Sequence, residues 1–492
     1  MSRWTRSGLV VLCAVALSAA CTRLTPEQQF IHDVADAMGG VEAVRAARRL
    51  TLDGTGRQWN LGQDMRPDLA QQTFTVSTFT RVIDLTAPRV RTTQTRTPNF
   101  TFYQGPQAQT AITGLDGDVA YGGPSLERLS RASRAAAIDR RDERLHHPLV
   151  LVKAALDGAA VSAVRTTGAE HAVDITTDAG PVTLVVDDAH RPLRITSPGA
   201  HPNLGDITLT TRFTDHGAAG ALTLPGTFAT QVDDFTTAEY RVTSTVSGDG
   251  TVAAPDALRA AAVPAPAAPT VTSDEVAPGV WLLAGQSHHS VLVAFTDRLV
   301  LIEAPQSEAR TKAVLAKARE LAPATPLTTL VVSHHHFDHS AGLRAALADG
   351  LSVVTHEGNA TFVTTMAGRP FTRQPDALAT VKAPGLGLQT VPGSRTLTDG
   401  TRSLVLYHLA GNPHSDTLLM AYLPKERVLI EADAWSPEGA GYHPYAANLL
   451  EHIRRLKLDV ARIVPLHGAP ATLKALEAVV QQQAPSAASS TP

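Results

Sequence analysis

The stretch Ser333-His334-His335-His336-Phe337-Asp338-His339-Ser340, directly after the apolar run Leu327-Thr328-Thr329-Leu330-Val331-Val332, constrains this chain more than any other. In the register H-x-H-x-D-H it gathers imidazoles and a carboxylate on one short loop at the end of a buried strand. Alternate residues of an extended loop point the same way, so His334 and His336 can grip one ion while His335 faces elsewhere. Asp338 and His339 then turn toward a second ion. His-rich tracts also arise as compositional accidents. The buried strand in front and the Asp338-His339 pair that fixes the register argue against one here.

Cysteine usage narrows the ligand chemistry. The chain has two cysteines, Cys13 and Cys21. Both lie in or beside an N-terminal export signal: Arg3 and Arg6 give the positive start, Gly8 to Ala20 are mostly apolar, and Ser18-Ala19-Ala20 is a small-residue cleavage site. The apolar run is short of the ~20 residues a membrane span needs. Any metal must therefore rest on His and carboxylate, which suit zinc or a similar first-row ion. Cys21 resembles the acylated cysteine of bacterial lipoproteins, although Leu17 sits one residue early for that pattern. Export to the periplasm is expected, either as a lipoprotein attached to the membrane through Cys21 or as a soluble protein cleaved after Ala20.

At 492 residues, with 43% hydrophobic and 18% charged residues, two globular domains are expected. The formal charge of −3 gives no electrostatic case for nucleic acid. A small-molecule substrate is the partner to expect, and the sequence leaves the oligomeric state open.

Residues 25–250 read as an antiparallel, β-rich domain. Thr25-Pro26-Glu27-Gln28 is a capping box with Pro at the first helical position, predicting a helix to about Met38 that Gly39-Gly40 stops. A short helix from Val41 to Arg48 follows. Thr- and Val-rich alternating segments then predict strands at Thr73 to Leu85, Val90 to Arg96, His171 to Thr176, Val182 to Val186, Ile207 to Phe213 and Glu239 to Val246. A helical stretch from Arg128 to Leu156, broken at Pro148, interrupts them. The opening Ala37-Met38-Gly39-Gly40-Val41-Glu42-Ala43 with its following strand resembles bacterial lipoprotein-carrier-like domains, which implies a curved sheet forming an open half-barrel.

Residues 251–271 are rich in Ala and Pro and predict an extended spacer. Residues 272–478 alternate short strands with helices, the pattern of a layered α/β domain. The tail 481–492 is low in complexity and predicted disordered.

Three further signals fall in that second domain. Gly411-Asn412-Pro413-His414-Ser415-Asp416 is a tight turn presenting one His, Val428-Leu429-Ile430-Glu431-Ala432-Asp433 is an apolar strand ending in carboxylates, and Ile463-Val464-Pro465-Leu466-His467-Gly468 repeats the strand-then-His arrangement. Singly each is weak. In this order, after the H-x-H-x-D-H loop, they resemble the metallo-β-lactamase fold superfamily, which implies an αββα sandwich with metals at the sheet edges.

The resemblance implies that the first metal takes His334, His336 and His414, the second takes Asp338, His339 and His467, and Asp433 bridges them. This all-His/Asp set is similar to the glyoxalase-II-like branch, implying two divalent ions, zinc above all. True metallo-β-lactamases generally carry Cys or Ser at the position of Asp433, which points away from β-lactams. Gly285 to Val291, Leu301 to Pro305 and Leu456 to Val460 are similar to a bacterial group of metallohydrolases. Glu303 departs from the superfamily, which usually has Asp there, and that leaves a hydrogen bond behind the ligands open. His288 and His289, just before a strand, read either as a packed or solvent-facing pair or as substrate contacts or hydrogen-bond donors near the site, His356 and His408 read as structural, and all four are set outside the ligand set.

The reaction expected is hydrolysis of an ester, thioester, lactone or amide. Two cations sharing a carboxylate lower the pKa of a bound water, so that hydroxide is available near neutral pH. Asp338 is the catalytic candidate, to orient that nucleophile and carry a proton, with plain ligation as the other role. One alternative is a persulfide-dioxygenase-like oxidoreductase using one iron. Another is a lipid or lipoprotein carrier with a subsidiary metal domain.

Overall fold

The computed structural model describes residues 23–69, 72–100, 107–247, 252–381, 385–439 and 443–483. The export signal, Cys21 and the tail from 484 lie outside them. No helix among the described residues is long and apolar enough to cross a membrane.

The N-terminal half is built on one open antiparallel sheet of 13 strands. Its long central strands are Arg49–Trp59, Thr73–Asp84, Arg89–Pro98 and Phe235–Ser247. Ser130–Arg131 and Arg165–Thr167 form the two edges, which do not pair with each other, so no closed barrel results. Gly54 and Gly56 allow a close strand approach: a Cβ at Gly54 would stand 1.9 Å from the Arg241 carbonyl oxygen.

The helix Pro26–Ala37 starts with the capping box expected, Thr25 and Gln28 exchanging side-chain bonds to each other's backbone. It buries Phe30, Ile31 and Val34 in a core shared with Leu149, Leu151 and Val152 of the helix Pro148–Leu156 and with sheet residues such as Leu50, Leu52 and Ile175. Each such side chain contributes ~1.5–3 kcal/mol relative to exposure. The helix Arg134–Leu145 crosses the sheet beside them, and between the two lies a cavity of about 1150 Å³.

The spacer differs from expectation at its start. Val252 and Ala254 are buried, Asp256–Ala260 is a short helix, and both Ala254 N–H and the Arg259 guanidinium bind the buried carboxylate of Asp116. Those polar partners fasten a segment too poor in large side chains to build a core of its own.

The C-terminal half has four layers. A 7-stranded sheet from Thr272–Ala277 to Leu388–Val391 faces a 5-stranded sheet from Ser394–Thr398 to Arg462–Pro465. Val291, Val293, Val300 and Ile302 of the first pack on Leu404, Leu406, Met420 and Ile430 of the second. The helices Glu308–Leu321 and Leu343–Ala348 cover one outer face, and Ala446–Arg455 and Leu473–Gln483 cover the other. This is the αββα sandwich expected, beside a mainly antiparallel N-terminal domain.

The two halves share an interface. Leu204 and Ile207 pack into the core beneath the outer helices of the C-terminal half. Arg369 pairs with Asp233 at 2.6 Å and binds the Leu204 and Asp206 carbonyls, while Asp206 caps Thr372 and Arg373.

Candidate metal centre

Strand registers bring the distant ligands together. In the parallel pair Val428–Glu431 and Arg462–Pro465, Glu431 lies opposite Pro465, so Asp433 and His467, each two residues further on, leave the sheet side by side. In the other sheet Leu327–Val331 runs parallel to Leu299–Ile302 with Val331 opposite Ile302, which sets Glu303 beside the start of the His loop. The sheets are tied at this edge by Leu419 N–H to the Ser333 carbonyl at 2.9 Å and His289 N–H to the Leu466 carbonyl at 2.9 Å.

All seven residues singled out in the sequence converge here, in groups whose ligand atoms lie within 4.8 Å of one another. His334, His336 and His414 form one group, and Asp338, His339 and His467 fall in a second together with His288. Asp433 stands between them: its Oδ1 is 2.9 Å from His467 Nε2, and its Oδ2 is 2.6 Å from His339 Nε2, 3.2 Å from His414 Nε2 and 3.3 Å from His334 Nε2. It holds this position with φ of 57°, a left-handed backbone that Asp tolerates better than most residues.

The donor set fits divalent cations. His336 Nε2 donates to the Asp64 carbonyl at 2.7 Å, which leaves Nδ1 with the lone pair, and that buried atom has no hydrogen-bond partner. Asp433 Oδ2 is likewise buried, with the Nε2 atoms of His339, His414 and His334 within 3.3 Å. His334 Nε2 and His414 Nε2 face each other at 3.2 Å, and His339 Nε2 and His467 Nε2 at 3.1 Å. Paired ring nitrogens at such distances must share a proton or a cation. Burial, followed by the neighbouring imidazoles, holds His334 and His336 well below the ordinary histidine value, in the neutral form that binds metal.

Around the ligands lies a set of fixed donors and acceptors. His339 Nδ1 donates to Glu303 Oε2 at 3.0 Å, and the other Glu303 oxygen accepts from Ser333 N–H at 2.7 Å. Glu303 thus keeps the hydrogen bond that its departure from Asp left open. Burial opposes charge on His339, and Asp433, Asp338 and Glu303 outweigh it, holding that imidazole well above its usual range.

Asp338 has a donor on each oxygen: Gln63 Nε2 on Oδ1 at 2.6 Å and His288 Nε2 on Oδ2 at 3.1 Å. Burial works against its charge, but His339 and His288 prevail and keep the carboxyl below the usual carboxylate range. Its side chain is 36% exposed, against 0% for His334 and 1% for His339, so the centre opens to solvent on the Asp338 side.

His288, set outside the ligand set, stands at the centre beside Asp338 and within the second group. Its Nδ1 accepts from Gln306 Nε2 at 3.2 Å, so Nε2 carries the proton given to Asp338. The available signal was its place in a turn before a buried strand, mirroring the turns that carry the other ligands. His289, His356 and His408 stay outside the groups: His289 Nδ1 accepts from Gly285 N–H, and His356 and His408 pack on each other with ring centres 4.1 Å apart and planes tilted by 41°.

Gln63 and Asp64 had no signal, because they belong to the N-terminal half. Gly62 lets their segment approach: with φ of 78°, a Cβ there would stand 2.3 Å from the Phe337 ring. The Gly62 and Met65 carbonyls accept from Phe337 N–H and Asp416 N–H, one on each side of the centre.

No curated protein matches the chain. Among solved structures, DIM-1 metallo-beta-lactamase is similar at 16% identity and a TM-score of 0.35, over 44% of this chain and 98% of that one. A metallo-beta-lactamase from Pontibacter korlensis is similar at 18% identity and a TM-score of 0.35, over 44% and 100%. FIM-1 from Pseudomonas aeruginosa, in its mono-zinc form, is similar at 15% identity and a TM-score of 0.33, over 43% and 93%. The family described as the metallo-beta-lactamase superfamily matches residues 283–467, the span from the strand before His288 to His467 itself, and with this layering those residues form a domain of that superfamily.

Proposed function

We propose that this chain is an exported hydrolase that holds two divalent metal ions, zinc above all, and cleaves an ester, thioester, lactone or amide bond in a small molecule. The observation that carries this reading is Asp433, whose two oxygens reach one His of the second group at 2.9 Å and ligand candidates of both groups at 2.6 to 3.3 Å.

His334, His336 and His414 would hold one ion, Asp338, His339 and His467 the other, with Asp433 between. When bound, such a pair supplies a nucleophile from water at neutral pH and polarises the scissile carbonyl. The chain's own groups do the rest. Glu303 fixes His339 as the Nδ1–H tautomer, Asp64 fixes His336 as the Nε2–H tautomer, and Gln63 and His288 hold the Asp338 carboxylate. Asp338, the most exposed member, is placed to accept a proton and pass it to a leaving group.

The test is turnover by metal-replete protein across activated esters, thioesters, lactones and β-lactams. The reading expects hydrolysis in the first three classes, abolished by chelation and by His336→Ala. Stoichiometric metal with no turnover on any member would overturn it. One equivalent of iron with oxygen uptake would favour the dioxygenase-like alternative instead.

Export and attachment through an acylated Cys21 complete the proposal. Palmitate labelling that disappears in Cys21→Ser supports the lipoprotein form, and a mature chain beginning at Cys21 without label supports the soluble one.

A further inference from the structure

Between the two halves lies a cleft of about 660 Å³, within the range typical of small-molecule sites. The N-terminal half contributes residues of the segment from Leu61 to Asp68 together with Leu204 and Phe235, and the C-terminal half contributes His335, Phe337 and residues of the helix Ala360–Gly368. Its walls are largely apolar: Leu61, Phe235, Phe337, Phe362 and Met366. None of the metal-ligand candidates lines it.

Two buried polar atoms at this wall are unpaired. Asp64, 5% exposed, has Oδ1 without a hydrogen-bond partner, and His335, 2% exposed, has Nε2 without one. An unpaired buried polar group costs ~1–3 kcal/mol, so the cleft carries hydrogen-bonding capacity that a ligand can use. Its cations are already engaged: Arg66 pairs with Asp68 at 3.0 Å, and Arg369 with Asp233 at 2.6 Å. That leaves no free counter-charge for an anion.

We propose that this cleft is a second binding site, taking a non-anionic molecule with an aromatic or branched apolar body and one N–H or O–H group directed at Asp64. The site shares a wall with the metal centre, since Asp64 lines the cleft and also holds His336 with its carbonyl. The inference does not depend on the reaction the metal centre performs.

The probe is N-phenyl-1-naphthylamine, which has an apolar aryl body and one N–H, titrated by fluorescence into the full metal-loaded chain. Saturable one-to-one binding is expected, at least tenfold weaker in Thr361→Trp, where an exposed residue of the cleft wall becomes a filler. Ala135→Trp, which fills the cavity beside the helix Arg134–Leu145 instead, leaves binding unchanged. The N-methyl analogue of the probe, lacking the donor, binds more weakly to the unmodified chain, and Asp64→Leu removes that preference. Absence of saturable binding, loss confined to Ala135→Trp, or equal affinity for both probes would overturn the proposal. Metal content measured in the same samples keeps this result separate from the fate of the hydrolase reading.

Discussion

Gln63 donates to Asp338 at 2.6 Å across 275 residues of chain, so a side chain of the N-terminal half holds a ligand candidate of the C-terminal half. Asp64 does the same for His336 through its carbonyl. The β-rich half is therefore part of the centre, and a cut between the halves would remove contacts to two of its residues.

Replacing Gln63 tests that dependence. In Gln63→Ala the Asp338 carboxylate loses a neutral donor, and metal affinity is expected to fall by roughly 10–100-fold, the usual effect of removing such a partner. Competition against a chromophoric chelator measures it. An unchanged affinity would make the contact incidental.

Glu303 offers a graded test on the opposite side. Glu303→Gln keeps an oxygen near His339 but removes the charge, whereas Glu303→Asp keeps the charge and withdraws it by one methylene. Affinity at the second group should fall in both, by roughly 10–100-fold for Gln. A calorimetric titration resolving two metal equivalents would show one of them alone affected.

His288 Nε2 hydrogen-bonds Asp338 at 3.1 Å, which makes it a candidate to position that carboxylate rather than to ligate. In His288→Phe the expected result is close to two metal equivalents with turnover lowered roughly 10–100-fold, the scale of a lost supporting hydrogen bond. Loss of a metal equivalent in that variant would make His288 a ligand.

The N-terminal half carries a pH signature of its own. Burial pushes His146 down to about 4 from its ordinary 6.5, and its ring nitrogens bond Thr211 at 2.9 Å and Ser197 at 2.8 Å. The unfolded chain takes up this proton near pH 6.5 and the folded chain only near 4. Stability from neutral His146 is therefore complete above pH 6.5 and lost as pH falls from 6.5 to 4, by roughly 3 kcal/mol. Urea midpoints taken in chelator at pH 7 and pH 4.5 should differ less for His146→Gln than for the unmodified chain.

The metal-bearing half was readable because its ligands follow apolar strands, and parallel registers such as Glu431 opposite Pro465 turn that local pattern into proximity. Apolar runs and turn residues also located most of its strands. The N-terminal strands were less legible. The strand read from Leu50 to Gly54 runs on to Trp59, and that second, half-polar part with Gly56 inside it reads as a strand only beside the neighbours it pairs with. Gln63 and Asp64 were illegible as site residues for another reason: their roles come from hydrogen bonds across the fold, which no local spacing encodes.

Metal content of the full-length chain tests the central claim most directly. After reconstitution with zinc and exhaustive dialysis, elemental analysis should find close to two equivalents per chain, and markedly fewer in His336→Ala and Asp433→Ala. A folded, unmodified chain that retains no zinc would contradict the account.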